Sequence, residues 1–248
     1  MIFNKRNFRF NSDSLLNFSF CFFPISFIIG NSAININVVL FSLLGCIRLK
    51  SKIIKTKYDF LIKIIFLLFL VVVFSTGLSF IKSLYFGGYE YENLVRFMKS
   101  IFFFRFFLIL IIIYLLGDSN ILSFKHFIIT AAFSVVLVSL DVIYQYIFDF
   151  NIIGLKSYGT HNTGVFADEI IAGGYIQNFS FFALFFLFFI LKEKKNIKFL
   201  LNPILFSILG LGILFSGNRM PFILFMISSS YKCLTVTLCN LDVILVYA

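Results

Sequence analysis

The sequence predicts an all-α fold, a polytopic transmembrane helical bundle with about seven or eight spans. Two observations support this prediction. The 248 residues are 60% hydrophobic and only 13% charged, and a soluble domain of this size does not need so much apolar surface. The apolar runs are also continuous and of helical length, without the alternation of roughly ten-residue strands that is typical of a transmembrane barrel.

Seven complete spans follow from the apolar runs, and an eighth begins at Pro221. The first two are short enough to be tilted, to thin the bilayer or to be partly re-entrant. The predicted spans cover residues 14–30, 33–47, 60–80, 97–116, 124–147, 170–191 and 199–215.

Basic residues are distributed unevenly between the two sides that these spans define. One side carries Lys5, Arg6, Arg9, Arg48, Lys50, Lys52, Lys55, Lys57, Lys125, Lys192, Lys194, Lys195 and Lys198, and the other carries Lys82, Arg96, Lys99, Lys156 and Arg219. The richer side is predicted to be cytoplasmic, together with the N-terminus, because short cytoplasmic loops are enriched in Lys and Arg. We therefore interpret the net charge of +10 as a set of basic residues that orient the helices in the membrane, and not as a surface that binds nucleic acid.

A single transmembrane helical domain is expected over residues 1–227, and it is expected to be incomplete. All 39 phenylalanines lie at or before Phe225, and the apolar pattern breaks up after that residue. We interpret residues 228–248 as an atypical tail that is read out of frame. The alternative interpretation is an ordinary short last helix.

Arg219 is the first candidate for binding chemistry. It follows Gly217 and Asn218, which permit a tight turn, and it precedes Pro221, which suits the first turn of a helix. The free N–H groups of a helix start and a guanidinium together favour an anion, such as a phosphate or a pyrophosphate. The alternative is that Arg219 contacts lipid headgroups. Asn218 is counted as a supporting residue.

Acidic and histidine side chains in the outward loops are the candidate catalytic groups. Asp168 and Glu169 precede the sixth span, where they either complement the helix dipole or accept a proton from an acceptor hydroxyl. His161 is a possible general base by residue type, although a loop histidine is often a bystander. Gly173 and Gly174 follow, and they permit close approach either of another helix or of a lipid headgroup.

Arg105, Asp141 and Gln145 are polar positions within predicted spans. Asp141 and Gln145 are four residues apart and share a helix face. Arg105 lies near the predicted bilayer midplane, where an unpaired charge is costly, and Asp141 is a candidate partner for it. This pair is alternatively a purely structural one. The four cysteines and two histidines show no metal-ligand spacing, so no metal site is predicted, and no motif in the sequence indicates another cofactor.

Three segments resemble the O-antigen ligase/polymerase superfamily, the multi-pass enzymes of bacterial surface-polysaccharide assembly. They are LDVIYQYIFDFNIIG (Leu140–Gly154), GVFADEIIAGGYI (Gly164–Ile176) and LFSGNRMPFILF (Leu214–Phe225). The order of the three segments along the chain fits this superfamily, and so does an arginine in the preceding span, FFFRFFLIL (Phe102–Leu110). The resemblance covers roughly Arg96–Phe225.

The resemblance implies the N-terminal part of a lipid-donor, GT-C-like glycosyltransferase of the bacterial plasma (inner) membrane that needs no metal or nucleotide. Such an enzyme moves a glycan from an undecaprenyl-diphosphate carrier to an acceptor hydroxyl of a lipid or glycan on the outer face. Carried over to this chain, the resemblance assigns the diphosphate to Arg219 and Arg105. The three segments do not distinguish a polymerase from a ligase.

Two other classes remain open from the sequence. A polysaccharide or lipid transporter or flippase would place polar residues along a midplane pathway, and only Arg105 and Asp141 suggest one. A non-catalytic fragment of the enzyme is the third reading, because members of the family carry a large outward loop and more spans beyond the matching part.

The charge asymmetry generates a direct test of topology. Cysteine labelling from either side of the membrane should place Lys52 and Lys194 in the cytoplasm, and Lys156 and Asn218 outside. The reason is that thirteen basic residues lie on one side and five on the other. A cytoplasmic Asn218 would contradict chemistry at the outer face.

Overall fold

The computed structural model describes residues 12–229, except for 51, 86–90, 158–160, 168 and 191–194. The side chains at 54 and 187–200 are not described either. The predicted tail therefore lies outside the described residues, apart from its first two positions.

The described residues fold into helices, joined by short connections and one longer loop. A 3₁₀ turn, Gly164–Phe166, and an isolated β-bridge between Phe150 and Lys156 lie in that loop, which precedes α7. The prediction of an all-α fold is confirmed for these residues. The helices are α1 (Ser12–Ile29), α2 (Asn31–Leu49), α3 (Lys52–Lys55), α4 (Phe60–Tyr85), α5 (Tyr91–Asp118), α6 (Phe124–Phe148), α7 (Ala172–Ile190), α8 (Lys195–Phe215) and α9 (Arg219–Ser229).

Five described helices, namely α1, α2, α4, α5 and α6, are long and apolar enough to cross a membrane. The apolar stretch Leu201–Phe215 of α8 and the whole of α9 are shorter. These findings support a helical membrane protein. The full count of spans, the orientation of the N-terminus and the resemblance to a lipid-donor glycosyltransferase fold stay predictions.

The start of α5 differs from its predicted boundary. The helix begins at Tyr91 and not at residue 97, and Arg96 pairs with Glu92 one turn away at 3.2 Å. A boundary drawn from hydropathy stops where charged residues begin. The helix nevertheless extends through Glu92 and Arg96, because an i,i+4 ion pair stabilises an exposed helical turn.

The chain divides into two compact units. The first contains described residues of 12–20 and 35–123, where α4 packs on α5. The second contains those of 21–34 and 124–229, where α6, α7 and α8 pack on one another. The expected single domain over 1–227 stays a prediction.

Close helix packing forms the core of the second unit. Val135 and Val138 of α6 are buried against Ile176 of α7 and Leu209 and Ile213 of α8. Lipid tails are as apolar as these side chains, so fit and polar contacts stabilise such a bundle more than the hydrophobic effect does.

A glycine contact sets the approach of α8 to α6. A Cβ on Gly212 would lie 2.9 Å from Ser139 Cβ and 3.0 Å from Ser139 Cα, whereas a Cβ on Gly210 would meet only the Phe225 ring, at 3.6 Å. The two glycines lie on the same helix, but only Gly212 fills a position without room for a methyl group.

Gly212→Ala is expected to destabilise the protein by about 1–3 kcal/mol, because the backbone of α6 must move. Gly210→Ala is the matched control, and it should be neutral or slightly stabilising because alanine has the higher helix propensity. Thermal unfolding in one detergent measures both. Equal melting temperatures for the two variants would contradict the packing of α8 on α6.

Candidate functional site

Two amide side chains fix the loop between α6 and α7 at Gly164. Gln145 Oε1 accepts from the Gly164 N–H at 2.7 Å, and Asn151 Nδ2 donates to the Gly164 carbonyl at 2.7 Å. Gly164 has a φ of +57°, and a Cβ there would lie 2.9 Å from Val142 Cγ2. Glycine is therefore required, because the position is both left-handed and crowded.

The first part of this loop is held by its own Asn151 and by Asp141 of α6. Asn151 Oδ1 accepts from the N–H groups of Ile153 at 3.0 Å and Leu155 at 2.7 Å. Asp141 Oδ1 accepts from the Ile152 N–H at 2.9 Å. Asp141 is 1% exposed, and its Oδ2 has no hydrogen-bond partner among the described residues.

The turn between α8 and α9 is the second element of the site. Asn162 Nδ2 donates to the Phe215 carbonyl at 2.6 Å, and Ser216 Oγ donates to the Ile213 carbonyl at 2.7 Å. Asn218 Nδ2 donates to the Ile170 carbonyl at 3.3 Å. The bonds of Asn162 and Asn218 connect the α8–α9 turn to the long loop, one before its 3₁₀ turn and one after it.

The loop and the turn line an open pocket of about 640 Å³, which we name the polar cavity because His161, Asn218 and Arg219 lie in its wall. Arg219 is exposed at the first position of α9, and His161 is half-buried with an Nδ1 that lacks a hydrogen-bond partner in the described part. The structure therefore brings three predicted site residues together: His161, Asn218 and Arg219. The lining residues are His161, Leu214, Gly217, Asn218, Arg219, Phe222 and Ile223.

A second cavity of about 690 Å³ is mainly apolar, and we name it the apolar groove. Asn218 lines both cavities, so they share a wall. The groove is lined by Phe27, Phe166, Ile170, Ile171, Gly174, Tyr175, Asn178, Phe179, Asn218 and Pro221.

The adjacent glycines of α7 have different surroundings. A Cβ on Gly173 would overlap Ser216 Oγ and lie 3.0 Å from Asn218 Cβ, whereas a Cβ on Gly174 would meet nothing within 4 Å. Gly173 therefore permits close packing of α7 on the α8–α9 turn. Gly174 instead leaves space in the apolar groove.

The remaining predicted site residues lie elsewhere or outside the described part. Glu169 is exposed, and its Oε1 accepts from Asn31 Nδ2 at 3.1 Å. Asp168 is not described. Arg105 is exposed on α5, with its guanidinium carbon 4.9 Å from the Phe106 ring centroid. Because Arg105 and Asp141 belong to different units, their pairing stays a prediction.

Asn151, Asn162 and Ser216 were not singled out from the sequence. Asparagine near glycine is typical of turns, and the Asn151 side chain does form one by accepting from Ile153 two residues on. The long-range bonds of Asn151 and Asn162 have no sequence signal. Within the described residues, no cluster of three or more His, Cys, Asp or Glu side chains is placed to hold a metal ion.

Compared with models of protein families, with curated proteins and with solved structures, this chain matches none. The resemblance to the O-antigen ligase/polymerase superfamily accordingly rests on the quoted segments alone.

The two glycines of α7 provide a matched test of the site's packing. Gly173→Ala should displace the α8–α9 turn, since its methyl group would overlap Ser216, while Gly174→Ala should be tolerated. Hydrogen–deuterium exchange of the peptide covering 213–223 should therefore accelerate in Gly173→Ala only. Indistinguishable exchange in the two variants would show that this contact does not hold the turn.

Proposed function

We propose that this chain is a membrane glycosyltransferase of the O-antigen ligase/polymerase kind. It transfers a glycan from an undecaprenyl-diphosphate carrier to a hydroxyl of a lipid or glycan acceptor on the outer face of the bacterial plasma membrane. The observation that carries the proposal is the shared cavity of His161, Asn218 and Arg219 beside an apolar groove.

The two adjoining cavities suit an amphiphilic ligand. An isoprenoid chain matches the aliphatic and aromatic lining of the apolar groove, and a diphosphate matches the polar cavity. Because Asn218 lines both, the junction of head and tail would lie beside this residue.

Arg219 is the proposed diphosphate ligand. It stands at the start of α9, where the first N–H groups have no partner within the helix and the helix dipole favours an anion. Its guanidinium can also donate two parallel hydrogen bonds to phosphate oxygens, which a lysine cannot do.

His161 is the proposed general base, because among the described residues it is the side chain that can accept a proton and shares the polar cavity with Arg219. In the proposed reaction the acceptor oxygen attacks the anomeric carbon and its proton passes to the imidazole. The bond between that carbon and the phosphate oxygen breaks, and the electron pair leaves with the diphosphate. Arg219 offsets the charge of the leaving group.

The predicted topology supports a lipid-linked donor. His161 lies in a loop, and Arg219 directly follows a turn, that the charge pattern predicts to be outside, whereas nucleotide sugars are cytoplasmic. The donor would therefore reach the cavity from within the membrane, through the apolar groove.

Arg219→Ala should weaken the binding of farnesyl diphosphate, a soluble isoprenoid diphosphate, by roughly ten- to a hundredfold, because charge-assisted hydrogen bonds are lost. The affinity of Arg219→Lys should lie between those of Arg219→Ala and the wild type, because the lysine ammonium makes fewer contacts with phosphate than a guanidinium does. Microscale thermophoresis on detergent-solubilised protein measures both variants.

Arg96→Ala is the control for Arg219, since Arg96 is also an exposed arginine but pairs with Glu92 on α5. Its affinity for farnesyl diphosphate should match that of the wild type. Wild-type affinity in Arg219→Ala would contradict the assignment of the diphosphate to this arginine.

A further inference from the structure

We propose that Asn162 is a positioning residue, which holds His161 in place relative to Arg219. Its importance for catalysis rests on the proposed function, but the positioning itself rests on the geometry of two chain segments. Asn162 follows His161 directly, and its side chain bonds to the residue that ends α8, just before the turn that leads to Arg219.

Asn162 supplies a hydrogen-bond donor to a carbonyl that has none within its own helix. The last carbonyls of a helix have no intrahelical donor, and Phe215 is the last residue of α8. Asn162 Nδ2 donates to this carbonyl at 2.6 Å, and the side chain belongs to a residue that is only 7% exposed. The buried Asn162 amide thus satisfies a helix-end carbonyl that is partly shielded from solvent, and breaking the bond would leave the buried amide without this acceptor.

Among the described residues, the other hydrogen bonds close to His161 in sequence do not reach the α8–α9 turn. The His161 carbonyl accepts from Ser157 Oγ at 3.4 Å within the same loop, and Gln145 and Asn151 fix Gly164. Among the described residues, the bond from Asn162 is the one that joins the segment around His161 to α8. It therefore fixes the His161 side of the polar cavity to the end of α8, while Asn218 ties the turn to Ile170 further along the loop.

The amide is the chemically required group at position 162. Aspartate has nearly the same shape but presents an oxygen to the Phe215 carbonyl, so the attraction becomes a repulsion. Asn37 provides a matched control, because it is similarly buried and donates from Nδ2 to the Ser19 carbonyl at 3.1 Å in the other unit. Asn37→Asp thus removes an equivalent bond far from His161 in the chain.

The test is a pulsed electron-resonance distance measurement on the full chain in detergent. Nitroxides are placed at the exposed positions Lys156 and Met220, on a background in which the native cysteines are serine. The parent protein should give a narrow distance distribution, which Asn162→Asp should broaden and Asn37→Asp should leave unchanged. Asn162→Ala should also broaden the distribution, and it replaces Asn162→Asp in the test if the aspartate variant does not fold.

Farnesyl diphosphate binding to the same samples separates this proposal from the proposed function. Asn162→Asp should weaken binding about tenfold, because the hydrogen bond that positions His161 is lost. Asn37→Asp should leave the affinity unchanged. An unchanged distance distribution in both Asn162 variants would overturn the positioning role. A broadened distribution in a protein whose parent form does not bind farnesyl diphosphate would support the positioning role and contradict the proposed function.

Discussion

Buried backbone polar groups must find partners within the protein, and the candidate site of this chain depends on that constraint. The long loop before α7 cannot satisfy its own N–H and carbonyl groups as a helix does. Buried amides therefore supply donors and acceptors: Gln145 and Asn151 fix Gly164, and Asn162 caps the end of α8. His161 lies between these contacts, so its position follows from them.

Glycine determines where the supporting elements can meet. Gly164 lets the loop approach α6, and Gly173 lets α7 approach the α8–α9 turn. Close approach matters more here than in a soluble protein, because apolar burial gives little advantage over lipid. The polar cavity and the apolar groove are thus formed by polar bonds and tight contacts, which also bring Asn218 to the wall that both share.

The sequence predicted the helices well but the site only in part. Long apolar runs predict helices because a backbone that spans a bilayer must satisfy its own hydrogen bonds. The early start of α5 was missed because it depends on an ion pair, which a hydropathy pattern does not detect. His161, Asn218 and Arg219 were identified individually from residue type, but their common cavity is a tertiary feature. The bonds of Asn151 and Asn162 join residues far apart in sequence or in different elements, so no local pattern indicates them.

In the proposed function, the polar cavity binds the diphosphate of an isoprenoid carrier. Native mass spectrometry of the wild-type protein with undecaprenyl diphosphate, undecaprenyl phosphate and undecaprenol tests it most directly, because the three ligands share one tail. The account predicts the tightest binding for the diphosphate and the weakest for the alcohol, since only phosphate oxygens can use Arg219 and the start of α9. Equal binding of all three would show that the groove holds the tail without any role for the polar cavity, and would contradict the account.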